Sequence, residues 1–227
     1  MISHKHKFIF IHIPKCAGSS IRDFYFDTPN LDWKLPNYDL LHGWCPERKI
    51  HLQHATPKDL IETHLISENI WNEYYKFTFV RNPWGRAYSD YLWIMKDSNV
   101  KGNFKDFINR SGNFQNVLNN KNSKNYRGDH LVPQSEYFND PIYKIDFVGR
   151  FENLNGDIEK INKKLNIVKS FDVHSKNNVG NKLSHYSKFY TRSYERLVEH
   201  VYAQDINTLE YTFKDLKKGF EKIKNFF

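Results

Sequence analysis

The spacing of apolar residues changes several times along the chain, and each change marks an element. Lys7–Ile13 is a short apolar run rich in Ile and Phe, the length of a strand buried on both faces. A turn of small residues follows, and Ile21, Phe24 and Tyr25 then recur at helical spacing. Residues 27–48 lose periodicity and gather Pro, Asn, Asp and Trp, which reads as an irregular excursion. Ile50–Ala55 is expected as a short strand, and Thr56 then caps a helix with Pro57 in its first turn, running to about Ile66.

Ser67–Tyr74 reads as a second short helix and Lys76–Val80 as a second buried strand. A longer helix follows from Pro83 to about Met95. The polar stretch 97–130 holds short helices at Phe104–Ile108 and Phe114–Leu118, joined by loops. Tyr143–Gly149 is a third strand. Leu154, Ile158, Ile161 and Leu165 then line one face of a helix starting near Asn153. Residues 174–188 read as a polar loop, and Thr191–Tyr202 and Asp215–Ile223 as closing helices. Strands alternating with helices predict an α/β fold: a P-loop-like, three-layer domain with a central, mainly parallel sheet flanked by helices. Neither a repeat nor a long linker divides the chain. Residues 1–227 are therefore expected as one domain, with loop-rich insertions at about 27–48 and 97–135 on the acceptor side.

Composition narrows this little. A length of 227 residues suits one domain, and 39% hydrophobic with 16% aromatic residues supplies a core and excludes wholesale disorder. The net charge of +8 favours an anionic partner, whether nucleotide, acidic glycan, nucleic acid or membrane surface, without choosing among them. The two cysteines, Cys16 and Cys45, make no disulfide framework. No apolar run approaches the roughly 18 residues of a membrane span, so a soluble cytoplasmic protein is expected.

The chemistry sits at two strand-to-helix junctions. In Ile13-Pro14-Lys15-Cys16-Ala17-Gly18-Ser19-Ser20, small residues let the backbone approach a ligand. The first N–H groups of the helix point at an anion, the hydroxyls of Ser19 and Ser20 add donors, and Lys15 adds a charge. The lysine precedes the glycine, so the Walker pattern is absent, and with it the Ser or Thr that would hold Mg²⁺. The second junction is Val80-Arg81-Asn82-Pro83-Trp84-Gly85-Arg86-Ala87-Tyr88-Ser89. It puts the Arg81 fork at a strand end and Ser89 about two turns down the next helix, a pair able to hold a second phosphate.

Together these segments closely resemble the 5′-phosphosulfate loop and the 3′-phosphate motif of carbohydrate sulfotransferases that use 3′-phosphoadenosine 5′-phosphosulfate (PAPS), the group of heparan 2-O- and chondroitin-type enzymes and their bacterial relatives. His51-Leu52-Gln53-His54-Ala55-Thr56 looks like the family's histidine segment, and Asp146–Leu154 is similar to a later one. The resemblance runs from about residue 8 to 213; the first two motifs are specific, and residues 97–130 have no counterpart in it. It implies transfer of a sulfuryl group from PAPS to a carbohydrate hydroxyl, leaving adenosine 3′,5′-bisphosphate, with no metal.

On this resemblance Lys15, Cys16, Ala17, Gly18, Ser19 and Ser20 hold the 5′-phosphate, and Arg81 and Ser89 the 3′-phosphate. Lys15 stabilises the leaving oxygen. A neutral histidine suits a general base near pH 7; His54 is the choice, at the end of its strand, and His51 the alternative. Lys182, Ser184 and Tyr186 lie in a loop able to close over the nucleotide, with Lys182 a weaker cofactor contact. His51, Arg127, Gln134 and Glu152 are weaker acceptor-side candidates, Glu152 as a partner of His54 or Arg150. His12 is a core histidine or part of the site wall, and Trp44, Trp84 and Trp93 are stacking surfaces or core.

Two rivals stand. A P-loop kinase needs a Walker lysine and a Mg²⁺-holding Ser/Thr with an Asp, which are not arranged here. A nucleic-acid-binding module needs basic residues gathered on one stripe, whereas here they are scattered.

Overall fold

The computed structural model describes residues 1–26, 31–171 and 185–217. The apolar runs form the sheet. Strand β1 (Ile2–Ser3) pairs antiparallel with β2 (Phe8–Ile11). The hairpin β3 (Trp44–Cys45) and β4 (Ile50–His51) stands apart as a two-stranded sheet. Strands β5 (Tyr75–Val80) and β6 (Phe147–Arg150) complete the main sheet in the order β1-β2-β5-β6, with β2, β5 and β6 mutually parallel. The expected mainly parallel α/β sheet is thus present, with the antiparallel edge β1 added from a segment that reads as polar.

Helix α1 (Gly18–Tyr25) leaves β2 through the small-residue turn. Helices α2 (Pro57–Glu62) and α3 (Glu68–Glu73) precede β5. Helix α4 (Pro83–Asp97) follows β5, with the Asn82 side chain accepting from the Gly85 N–H and Pro83 in its first turn. Helices α5 (Phe104–Ile108) and α6 (Gln115–Asn119) lie where the sequence predicts them. After β6 come α7 (Leu154–Leu165), α8 (Arg192–Val201) and α9 (Ala203–Leu209).

Phe8, Phe10, Phe77 and Phe79 are fully buried on the sheet, each contributing about 1.5–3 kcal/mol by leaving water. A second cluster, with Trp84, Tyr91, Phe104, Phe107, Phe114 and Tyr190 in it, joins α4, α5, α6 and α8. Among the described residues no helix is long and apolar enough to cross a membrane.

Several boundaries differ from expectation. The Ile50–Ala55 strand ends at His51: the Leu52 N–H still bonds to the Gly43 carbonyl in hairpin register, but the Gly43 N–H goes to the Gln53 side chain, and the Leu52 carbonyl accepts from Ala55 as Leu52–His54 coil into a 3₁₀ turn. His54 therefore sits on a turn beside a hairpin, not at the end of a strand. Helix α2 stops at Glu62, four residues early, where His64 takes a left-handed φ of 56°. β6 begins at Phe147 rather than Tyr143, since the Asp140 carboxylate ties the Ile142 and Tyr143 N–H groups into a turn. Asp215–Lys217 is not helical: the Lys214 and Leu216 N–H groups bond to the hydroxyls of Tyr186 and Ser187 instead. α9 was not expected, and most of the 174–188 loop, with Lys182 and Ser184, lies outside the described residues.

Candidate active site

β2 and β5 are parallel neighbours, so their C-terminal ends emerge side by side, the place where open α/β sheets collect ligands. The segments that leave them share a cavity of about 380 Å³, lined by Lys15, Ala17, Gly18, Ser19 and Ser20 from one junction and by Arg81 and Ser89 from the other. That volume lies within the range of small-molecule sites.

The first junction is shaped by its backbone. Lys15 and Ala17 both take left-handed conformations, with φ of 67° and 69°. Such residues turn successive N–H groups to one side and form an anion-binding hollow. The first-turn N–H groups of α1 have no partner within the helix and add to that hollow. Gly18 is required by close packing: a Cβ there would lie 1.6 Å from His12 Nε2. Cys16 points the other way. Its Sγ is buried and contacts the Pro14 carbonyl and Gln134 Oε1, and burial lifts its thiol pKa to about 12. It is the core anchor of the loop rather than a contact in the cavity.

The two junctions are bound to each other. Arg81 Nη1 donates to the Lys15 carbonyl at 3.1 Å, and the Arg81 guanidinium lies over Phe151. The fully buried Gln134 accepts from the Arg81 N–H and donates to the Arg81 carbonyl, at 2.8 and 2.9 Å. Asp205 in turn accepts from the N–H groups of Gln134 and Ser135. Gln134 is thus a clasp between the junctions, not an acceptor contact. Arg86, also buried, donates to the carbonyls of Pro14, His130 and Val132. Glu152 does not reach His54 either: it accepts from the Asn82 N–H and the Tyr211 hydroxyl, closing the start of α4.

Lys15 is half-buried, with its ammonium 4.9 Å from the centre of the Trp93 ring, and burial lowers its pKa. An anion arriving there would restore the charged form.

Five histidines line the same cavity: His12, His42, His51, His54 and His130. His54 Nδ1 lies 3.2 Å from the His12 carbonyl. A carbonyl only accepts, so Nδ1 carries the hydrogen and Nε2 keeps its lone pair. Burial, and then the neighbouring histidines, hold the His54 pKa well below 6.5. His51 is less available, with Nδ1 buried and unpartnered and Nε2 set against the Tyr126 carbonyl and Arg127 Nη1.

The far wall is aromatic and cationic. Arg127 stacks over Trp33 at 4.6 Å and pairs with Asp97 at 3.0 Å. Its guanidinium also donates to the Lys124 and Tyr126 carbonyls, so it is a fixed part of the wall. Trp93 lines the cavity, whereas Trp84 is core, Trp44 packs on His51, and Tyr186 packs against Phe213.

Sequence reasoning missed Trp33, His42, Asp97 and the Asp90–His130 contact, where His130 Nδ1 meets Asp90 Oδ1 at 2.7 Å. One local signal existed: Asp90 and Trp93 are three apart on α4, on one face.

The model of the sulfotransferase family matches residues 1–212. An uncharacterized protein of Archaeoglobus fulgidus is 32% identical over 113 residues, covering 48% of this chain and 81% of that protein. No solved structure matches.

Proposed function

The chain belongs to the sulfotransferase family, a family of sulfuryl-transferring enzymes, and from that premise we propose that it uses PAPS to sulfate a hydroxyl of a carbohydrate. The observation that carries this reading is the meeting of the Lys15–Ser20 loop with Arg81 and Ser89 in one cavity, tied by the Arg81–Lys15 hydrogen bond.

The donors there fit a nucleotide with two separate phosphates. Lys15, the α1 N–H groups and the hydroxyls of Ser19 and Ser20 suit the 5′ end, and Arg81 with Ser89 suits the 3′ phosphate. The nucleotide supplies the sulfuryl group already activated on its 5′-phosphate. Lys15 meets the charge that grows on the leaving oxygen, in a site where burial strengthens each electrostatic contact. His54 Nε2 accepts the hydroxyl proton, and its neutral form at pH 7 follows from its lowered pKa. Trp33, with Arg127 stacked on it, offers an aromatic face for a sugar ring beside that histidine.

A transfer assay with labelled PAPS against a panel of glycans tests the reading, together with the rise in thermal midpoint on adding adenosine 3′,5′-bisphosphate. A flat midpoint with the bisphosphate, and a clear rise with ATP and Mg²⁺ instead, would sink it.

A further inference from the structure

Of the five cavity histidines, His130 is the one hydrogen-bonded to a carboxylate. Its ring is clamped from two sides. It lies parallel to Trp93, with ring centres 4.7 Å apart and planes 2° off, and Asp90 holds Nδ1 at 2.7 Å. Asp90 is 1% exposed, and among the described residues its Oδ1 meets only His130 and its buried Oδ2 has no hydrogen-bond partner. A buried carboxylate left this incompletely satisfied is costly unless a positive charge comes to it. Bonding to Asp90 fixes the hydrogen on Nδ1 of His130 and leaves Nε2 as an acceptor. The ring of His54 stands edge-on to that of His130, with centres 5.2 Å apart.

His54 has no such support. Its Nδ1–H is bonded to a carbonyl, which steadies an added charge less than a carboxylate does, and three other histidines crowd it. The charges that reach the His130 site come from Asp90 on α4, Lys15 and His12 near the loop, His51 and His54 beside the hairpin, and Arg86, which donates to the His130 carbonyl.

We propose that His130, held by Asp90, is a second catalytic histidine that receives the acceptor's proton from His54. This rests on the sulfotransferase reading above and adds the group that holds the proton. As the new bond from acceptor oxygen to sulfur forms, the bond from sulfur to the leaving phosphate oxygen breaks with its electron pair. The acceptor O–H bond gives its proton to His54 Nε2. The two rings share no direct hydrogen bond, so the handover runs through water: once the product leaves, the His54 Nε2–H bond breaks as a cavity water takes that proton and gives one of its own to His130 Nε2, His54 returns to neutral, and Asp90 balances the charge. Asp90 is a positioning residue: it sets the tautomer and the orientation of His130, as carboxylates do behind catalytic imidazoles.

The test uses the whole chain and needs no knowledge of the acceptor, because slow transfer from labelled PAPS to water draws on the same proton path. His130→Gln and Asp90→Asn are expected to lower kcat by about a hundredfold, the usual scale of acid–base assistance. The KM for PAPS and the midpoint shift with adenosine 3′,5′-bisphosphate should stay at wild-type values. His130→Ala should regain part of its rate on adding imidazole, which a purely structural role does not allow. The proposal is overturned if these variants keep turnover within about threefold of wild type, or if turnover is lost and imidazole restores none of it. If wild type itself shows no midpoint shift with the bisphosphate, the nucleotide reading fails and takes this one with it. A normal shift with unaffected variants removes only the role of His130.

Discussion

At one end of the cavity the functional residues come from two short segments, Lys15–Ser20 and the Arg81–Ser89 junction; at the other they come singly, from Trp33, Asp97, Arg127 and His130. The first end is made mainly of backbone: left-handed Lys15 and Ala17, the opening turn of α1, and the strand end before α4. The second is made of side chains stacked on each other, Trp33 on Arg127 and Trp93 on His130. A backbone hollow depends on a few adjacent residues, so it has a local signature. A stacked wall depends on which distant segments the fold brings together. One cavity can therefore hold a readable end and an unreadable one.

Four changes test that contrast. Lys15→Ala should lower turnover most, on the order of a thousandfold, as expected for losing a charge aimed at the leaving oxygen. Circular dichroism should show the fold retained, because the Lys15 side chain lines the cavity rather than the core. Arg81→Ala should weaken adenosine 3′,5′-bisphosphate by roughly ten- to a hundredfold, the worth of about 1.5–3 kcal/mol for charged hydrogen bonds. Calorimetry reads this directly, and an equal loss for a nucleotide without the 3′-phosphate would break the assignment.

Trp33→Ala should raise the KM for acceptor about tenfold while leaving bisphosphate binding unchanged. A loss on the nucleotide side instead would erase the distinction between the two ends.

The smallest effect is on stability against pH. Burial lowers the pKa values of His12, His51 and His54, and takes His42 to about 4. Such a histidine binds its proton more readily in the unfolded chain, so acid favours unfolding. This contribution is full above the unfolded value of about 6.5 and drains as pH falls through the folded values. The thermal midpoint should drop steadily between pH 7 and pH 4, and His42→Gln should flatten part of that slope. A midpoint that holds constant over this range would mean these histidines are not desolvated in the folded protein.

The sheet was legible for a simple reason: Phe8–Ile11 and Tyr75–Val80 are buried on both faces, and continuous apolar runs announce that. The elements that the sequence misplaced are those whose backbone bonds go to distant or side-chain partners. His54 left its expected strand because the Gly43 N–H bonds to the Gln53 side chain instead of the Leu52 carbonyl, which breaks the ladder, and no pattern within residues 50–55 carries that information. Gln134 and Glu152 are polar residues in a loop-rich setting, so they read as ligand contacts. Their true partners, Arg81 and Asn82, are remote in sequence.

The chain by itself determined the parallel strands, the helices that follow them and the two anion-directed junctions, since each is set by residues within one or two turns. Only the tertiary structure decided that the junctions share a cavity, that Gln134 and Arg86 fasten the segments around it, and that five histidines meet there, one of them backed by Asp90. Those facts depend on contacts between segments many residues apart, whose geometry is fixed by packing rather than by local preference.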